Sequence, residues 1–141
     1  SLQDGLNYQR YKGSCNVVRE LERIEKNGSG TAAIISASIL PSGAGGLKFA
    51  GYLNVPKTGR YTFYLTSADG SLMNIGGLPL ISNDGLHGPE MKSATIQLEK
   101  GFHSILIEYF DAGGDRALKL EWNGPEFKKQ VVADQFFKSS L

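Results

Sequence analysis

The stretch LKFAGYLNV at residues 47–55 indicates the fold class, because its side chains alternate in polarity. Even positions include Lys48 and Asn54, whereas the odd positions carry the large apolar residues Leu47, Phe49, Leu53 and Val55. Successive side chains of a β-strand point to opposite faces, so this period of two predicts a strand with one face in a core.

Further strands are predicted along the rest of the chain, separated by turn residues. The turn PKTG at 56–59 separates the strand at 47–55 from a second strand, RYTFYLTS at 60–67. These two strands are predicted to form a hairpin. A tighter hairpin is predicted over 72–81, with Gly76-Gly77 at its turn and Pro79 marking an edge strand. More strands are predicted at 94–98, 103–111 and 118–122.

Glycine is unusually frequent, at 18 of 141 residues, or about 13% against a usual ~7%. Many glycines without a repeat indicate many tight turns between short strands. The sequence therefore predicts an all-β fold, an antiparallel β-sandwich or barrel.

One segment near the N-terminus has the apolar spacing of a helix, although a non-helical structure fits it equally well. Val17, Leu21 and Ile24 stand at i, i+4 and i+7, and Gly28 is a typical helix terminator. The pattern is consistent with one short helix over residues 17–27 and leaves its existence open.

Length and composition exclude several classes of protein. A chain of 141 residues fits one domain over 1–141, and Ser1 in place of methionine suggests excision from a larger protein. Fifteen basic and fourteen acidic residues give a net charge of +1, so no nucleic-acid partner is expected. The single cysteine, Cys15, excludes an internal disulfide and a Cys-rich zinc site. No apolar run reaches the ~20 residues that membrane insertion by a helix requires.

No catalytic constellation stands out. The glycine run at 43–46 is not followed by the lysine and hydroxyl residue of a phosphate loop. His87 and His103 are the only histidines, and no Gly-x-Ser-x-Gly motif exists. An acid–base pair of Asp69 and Asp84 has no supporting spacing, so we expect no catalytic residues in this module.

Three polar, glycine-bearing loops carry the candidate binding residues. They lie at 67–71, 82–88 and 111–115, between predicted strands, and they could gather at one end of a sandwich. Their oxygen atoms suit a hard cation such as calcium. Alternatively, aspartate and asparagine simply cap the turns.

An ordered series of motifs resembles the PA-fourteen domain family, named for a domain of anthrax protective antigen. The matching segments are GLNY (5–8), GYLNVP (51–56), TGRYTF (58–63), SADGSL (67–72), IGG (75–77), NDGLHG (83–88), KGFH (100–103), YFDAGG (109–114) and LEW (120–122). The resemblance covers residues 5–125. It implies a β-sandwich, usually non-catalytic, found in secreted and cell-surface proteins including glycosidases, adhesins and toxins.

The resemblance also implies a ligand site. In the family's sugar-binding adhesins, two consecutive aspartates joined by a cis peptide and a later asparagine hold calcium, which chelates sugar hydroxyls. The matching positions here are Ala68-Asp69 and Asp111, so the first aspartate is missing and the asparagine is a carboxylate. One interpretation keeps a calcium ion on Asp69 and Asp111. The other is metal-free sugar binding through the polar residues of this region, which are Asp69, Asn74, Asn83, Asp84 and His87.

We therefore predict a carbohydrate-binding accessory module of a secreted or cell-envelope protein that acts on glycans. Its expected partners are a glycan or polysaccharide and neighbouring domains of a larger chain, in an extracellular, periplasmic or cell-surface location. The alternative is a structural or protein-interaction spacer with a degenerate ligand site.

Overall fold

Two antiparallel β-sheets pack face to face in the computed structural model, which describes residues 1–141. The larger sheet has eight strands: β1 (Leu2–Asp4), β2 (Leu6–Lys12), β3 (Glu25–Ala32), β4 (Gly45–Val55), β6 (Ser71–Ile75), β7 (Leu78–Asn83), β9 (Gly101–Asp111) and β12 (Phe137–Ser140). The smaller sheet has four: β5 (Gly59–Ala68), β8 (Glu90–Leu98), β10 (Ala117–Gly124) and β11 (Phe127–Val131). The predicted all-β sandwich is confirmed.

The order of strands places β4 and β9 at the middle of the larger sheet. The order there is β1-β12-β4-β9-β6-β7, and β2 pairs with both β3 and β4. One edge of β4 is shared, because β2 pairs along 45–50 and β12 pairs at Tyr52 and Leu53. The smaller sheet runs β11-β10-β5-β8.

The core lies between the sheets and follows the alternation seen in the sequence. Phe49 and Leu53 of β4 are fully buried, as is Phe63 of β5, and Leu120 of β10 is almost fully buried. They belong to one cluster of 23 buried residues contributed by both sheets. Each such side chain contributes roughly 1.5–3 kcal/mol relative to an exposed position, so this cluster stabilises the packing of the sheets.

The predicted hairpin over 47–67 is wrong, although both of its strands exist. β4 pairs with β9 along its whole length, from Gly45 opposite Asp111 to Val55 opposite Gly101, whereas β5 pairs with β8 and β10. The turn after Val55 carries the chain from one sheet to the other. Alternation fixes which face of a strand is buried, but it does not fix which strand lies beside it.

The second predicted hairpin is correct. β6 and β7 pair around Gly76-Gly77, with Met73 opposite Ile81. β7 lies at the edge of the larger sheet, as Pro79 indicated, because proline lacks the N–H that an inner strand needs.

The possible helix over residues 17–27 is reduced to one 3₁₀ helix, Val18–Arg23. Val18 and Leu21 are buried in a second small cluster with Tyr11, Cys15 and Phe110. The following residues form β3 instead, because the segment Asn27-Gly28-Ser29-Gly30 favours turn or extended structure over a helix. A second 3₁₀ helix, Asp134–Phe136, precedes β12. No helix has the length and apolar character needed to cross a membrane.

The connections between strands collect at two opposite ends of the sandwich. At the end that we call the loop end, β5 finishes at Ala68 opposite the start of β10, and β9 finishes at Asp111 opposite the start of β4. The loops around 69–70, 84–89 and 112–116 therefore meet there, together with the segment before β4. The opposite end, the turn end, carries the turns at 56–58, 99–100 and 125–126.

Candidate functional site

Asp69 connects three segments of the loop end. The Ala68–Asp69 peptide bond is cis, and Asp69 N donates to Phe110 O at 3.1 Å. Asp69 Oδ1 accepts a hydrogen bond from His87 N at 3.1 Å, and Oδ2 accepts one from Ala112 N at 2.8 Å. One carboxylate thus holds the loops after β5, β7 and β9 in a fixed relation.

Asp111, the last residue of β9, forms an ion pair. Its Oδ2 accepts from Arg116 Nε at 2.7 Å, and its Oδ1 accepts from Gly113 N at 2.9 Å. Asp111 is only 2% exposed, so its charge is compensated by the neighbouring guanidinium rather than by water.

Arg116 links that carboxylate to the segment before β4. Its remaining contacts are to backbone carbonyl oxygens: Nη1 donates to Leu40 O (3.2 Å) and Pro41 O (3.0 Å), and Nη2 donates to Gly43 O (2.8 Å). With the bond from Nε, four of the five guanidinium N–H groups have partners, and one on Nη2 is left. Arg116 was not among the residues predicted from the sequence.

These residues do not fit a calcium ion. Calcium takes six to eight oxygen ligands, but no group of three or more acidic, histidine or cysteine side chains in the chain is arranged to hold a metal. Both carboxylates already accept internal hydrogen bonds, and Arg116 places a positive charge against Asp111. Ala68 supplies no side-chain oxygen at the position of the missing aspartate.

Asp84 lies at the loop end but acts within the chain. Its Oδ1 accepts from Val18 N at 2.9 Å and from Gly85 N at 2.8 Å. The carboxylate therefore fastens the first turn of the 3₁₀ helix to the loop that follows β7.

His87 is held through both ring nitrogens. Nδ1 lies 2.8 Å from Gly88 O, and Nε2 lies 2.8 Å from Asn83 O. Both partners accept hydrogen bonds, so only the doubly protonated imidazolium can donate at both positions. Burial by itself lowers the pKa of His87, but the two carbonyl oxygens, with the charges of Glu90 and Asp69, raise it above its ordinary value.

Two predicted ligand residues are placed elsewhere. Asn83 is 2% exposed, and its Nδ2 donates to the backbone oxygens of Leu65 and Glu90 and to Ser67 Oγ. The Asn83 side chain therefore stabilises the loops from inside the fold and is not accessible to a ligand. Asn74 lies three residues along β6 from Ser71, about 10 Å away from the loop end at the usual rise of a strand.

A shallow depression of about 290 Å³ opens beside the ion pair. It is lined by Ser42, Gly43, Asp111, Gly113, Gly114 and Arg116. Of the six residues predicted from the sequence, Asp111 alone lines it. The contact between Arg116 and the segment before β4 joins residues more than 70 positions apart, so no local sequence motif predicts it.

Comparison with known proteins identifies the family. The family model described as PA14 domain matches residues 36–135. The chain belongs to the PA14 domain family. No curated protein sequence matches the chain.

Solved structures share the whole fold. The PA14 domain of MpAFP antifreeze protein superposes with a TM-score of 0.85 at 21% identity, covering 99% of this chain and 92% of that one. A PA14 sugar-binding domain from an RTX adhesin gives a TM-score of 0.81 at 18% identity, covering 97% and 99%. The Epithelial Adhesin 9 A domain of Candida glabrata, in complex with Galb1-3GlcNAc, gives 0.77 at 11% identity, covering 98% and 90%. At these identities the likeness shows the fold, which extends beyond the matched 36–135.

Proposed function

We propose that this PA14 domain is a non-catalytic carbohydrate-binding module whose ligand site is the depression beside Asp111 and Arg116. The observation that carries the proposal is the Arg116 guanidinium group, which joins Asp111 to backbone carbonyl oxygens of the segment before β4 and so fixes the two walls of the depression before a ligand arrives. Sugar-binding adhesin domains among the structural relatives favour the same class of ligand. A fixed site avoids the cost of ordering loops on binding.

The polar groups of the depression suit sugar hydroxyls, which both donate and accept hydrogen bonds. Arg116 retains one N–H, and the buried Asp111 carboxylate orients its guanidinium group. The Ser42 hydroxyl and the exposed backbone of Gly114 lie on the same surface. Because Arg116 supplies the positive charge next to Asp111, we propose that binding does not use calcium.

The module belongs, in this proposal, to a larger secreted or cell-surface protein that acts on glycans, and chemistry on the sugar is left to other domains. Asp69 and Asp111 are both engaged by internal donors, which leaves neither in the role of a general acid or base.

A second candidate function is a structural or protein-interaction spacer. It is favoured by Ala68, which replaces a family ligand, and by the Asp111–Arg116 pair, which satisfies the charges of the loop end within the chain. In this case Asp69 and Arg116 only stabilise the loops.

A glycan-array screen in millimolar calcium and again in chelator tests the proposal. We expect the same glycans to be bound under both conditions, and Arg116→Gln to reduce binding strongly. The matched control, Arg60→Gln, changes an exposed arginine on β5 near the turn end and should bind normally. Loss of glycan binding in chelator would contradict the metal-free site. No glycan binding under either condition would favour the spacer function.

A further inference from the structure

A second cavity lies at the turn end, away from the proposed sugar site. Its volume is about 590 Å³, within the ~300–1,000 Å³ typical of small-molecule sites. Four aromatic rings contribute to its lining: Tyr61, Trp122, Phe127 and Phe136. Trp122 is at the centre of this group, with ring centroids 5.1 Å from those of Phe127 and Phe136 and 5.4 Å from that of Tyr61. We call this space the aromatic cavity.

The Trp122 side chain, which lines this cavity, has an unused hydrogen-bond donor. Trp122 is 1% exposed, and its indole N–H makes no hydrogen bond within the chain. The only fully buried side-chain nitrogen or oxygen without a partner is Asn83 Oδ1, so the indole nitrogen is not fully buried, and Trp122 lines the cavity. Buried donors are normally paired, because an unpaired one forfeits its hydrogen bond to water. The Tyr61 hydroxyl, in contrast, is satisfied by the backbone of Lys57.

The rim of the aromatic cavity carries an unbalanced positive charge. Lys57 Nζ forms an ion pair with Glu126 Oε1 at 2.5 Å. Lys100 also lines the cavity, but its ammonium group pairs with no carboxylate. The remaining charge favours an anionic ligand.

The polar groups that remain free are few. They are the Trp122 N–H, the Lys100 ammonium group and the side-chain amides of Gln130 and Gln135. A pyranose would bring several hydroxyls that need both donors and acceptors, and these few groups could pair with only some of them. A flat apolar ring with one anionic group needs an apolar surface, a hydrogen-bond donor and a positive charge. The residues that line this cavity carry all three.

We propose that the aromatic cavity binds a monocyclic aromatic carboxylate. The ring packs against the half-buried Phe127 and Phe136, in the offset or edge-to-face arrangements that aromatic pairs prefer. The carboxylate accepts a hydrogen bond from the Trp122 N–H and faces the Lys100 ammonium group. This site is separate from the loop end, so it is independent of whether the domain binds sugar there.

The test uses 3-phenylpropionate as the probe and the ¹⁵N-labelled domain. Trp122 is the only tryptophan, so the single indole N–H resonance reports on this cavity without further assignment. We expect a saturable downfield shift of that resonance, as the N–H gains an acceptor, and weaker binding of the neutral 3-phenylpropanamide. Lys100→Gln should weaken binding about three-fold, the size of an exposed ion pair. Lys12→Gln, the same charge change near the loop end, should not alter it.

Trp122→Phe, which keeps a ring but removes the N–H, provides a second measurement by calorimetry. It should weaken 3-phenylpropionate binding if the folded variant retains the wild-type circular dichroism spectrum. Equal binding of the carboxylate and the amide would overturn the proposal, as would an unmoved indole resonance. A shift produced by galacturonate but not by 3-phenylpropionate would also overturn it, in favour of a second sugar site.

Discussion

Asp69 determines the geometry of the loop end, because its two oxygens accept N–H groups from two other loops. Replacing it by asparagine keeps one acceptor oxygen but removes the charge and the second acceptor. We expect Asp69→Asn to lower the free energy of unfolding by about 1–3 kcal/mol, the cost of a lost charge-assisted hydrogen bond. Urea unfolding followed by circular dichroism measures this difference.

The matched control for this change is Asp115→Asn. Asp115 is exposed in the loop after β9, and its carboxylate makes no hydrogen bond or ion pair with a side chain. That variant should stay within about 0.5 kcal/mol of the wild type. Equal losses in both variants would contradict the role assigned to the Asp69 carboxylate.

His87 makes the loop after β7 sensitive to pH. Its pKa in the folded state is raised above the ordinary 6.5. The stabilisation that the imidazolium provides is therefore complete below pH 6.5 and is lost as pH rises through the raised pKa. We expect amide hydrogen exchange of residues 84–88, corrected for the intrinsic rate, to become less protected over that range.

His103 provides the comparison for the pH effect. Its Nε2 lies 2.7 Å from Glu99 O, so one protonated nitrogen is enough to make its bond. His103→Gln should keep the pH dependence of the 84–88 loop, whereas His87→Gln should abolish it. If the dependence persists without His87, another group in the loop end is responsible.

Sequence patterns identified some residues of the candidate site and missed others for a physical reason. The motif around Asp69 and the end of the 103–111 strand predicted two carboxylates at one end of a sandwich, and the structure brings them together. Arg116 could not be predicted, because its partners in the 40–43 segment are distant in sequence. Asn83 sits in a polar loop motif like a ligand residue, yet burial makes it structural.

At the level of elements, side-chain alternation located seven of the twelve strands, β4 to β10, and missed β1, β2, β3, β11 and β12. The period of two placed Leu47, Phe49, Leu53 and Val55 on one buried face, as observed. It did not reveal that β4 and β5 belong to different sheets, since two strands with a buried face can either pair side by side or face each other across the core. The helix was only partly predicted: of Val17, Leu21 and Ile24, only Leu21 is buried, beside Val18 rather than Val17. The chain from Glu25 onward forms β3 instead.

Gly51 allows β12 to lie against β4. A Cβ at this position would be 2.5 Å from Lys138 O and 2.7 Å from Leu6 Cδ2, and the first contact is with backbone that cannot turn aside. We expect Gly51→Ala to destabilise the domain by about 1–3 kcal/mol through overpacking. Gly88→Ala is the control, because Gly88 has no positive φ and no atom within 4 Å of its Cβ position. Thermal unfolding should separate the two variants, and indistinguishable midpoints would mean that β12 shifts at little cost.

The molecule has one main core between the sheets, a small second cluster and a candidate site at each end. The loop end carries polar groups fixed by Asp69 and Arg116, and the turn end carries the aromatic cavity around Trp122. Both ends are built on strands whose inner residues belong to the same cluster between the sheets. Stability at the two ends is therefore expected to depend on shared residues such as Phe49, although the sites bind different chemistry.

Phe49→Ala tests whether the two ends unfold together. Phe49 is fully buried between the sheets, so its truncation should cost about 3–5 kcal/mol. Phe102→Ala removes the same ring from a 52% exposed position on β9 and should change stability by no more than about 0.5 kcal/mol. In urea, Trp122 fluorescence reports on the turn end and the His87 resonances report on the loop end. Because one core joins the ends, both signals of Phe49→Ala should move to the same lower midpoint, as a two-state transition requires. Separate midpoints would show instead that the loop end unfolds on its own.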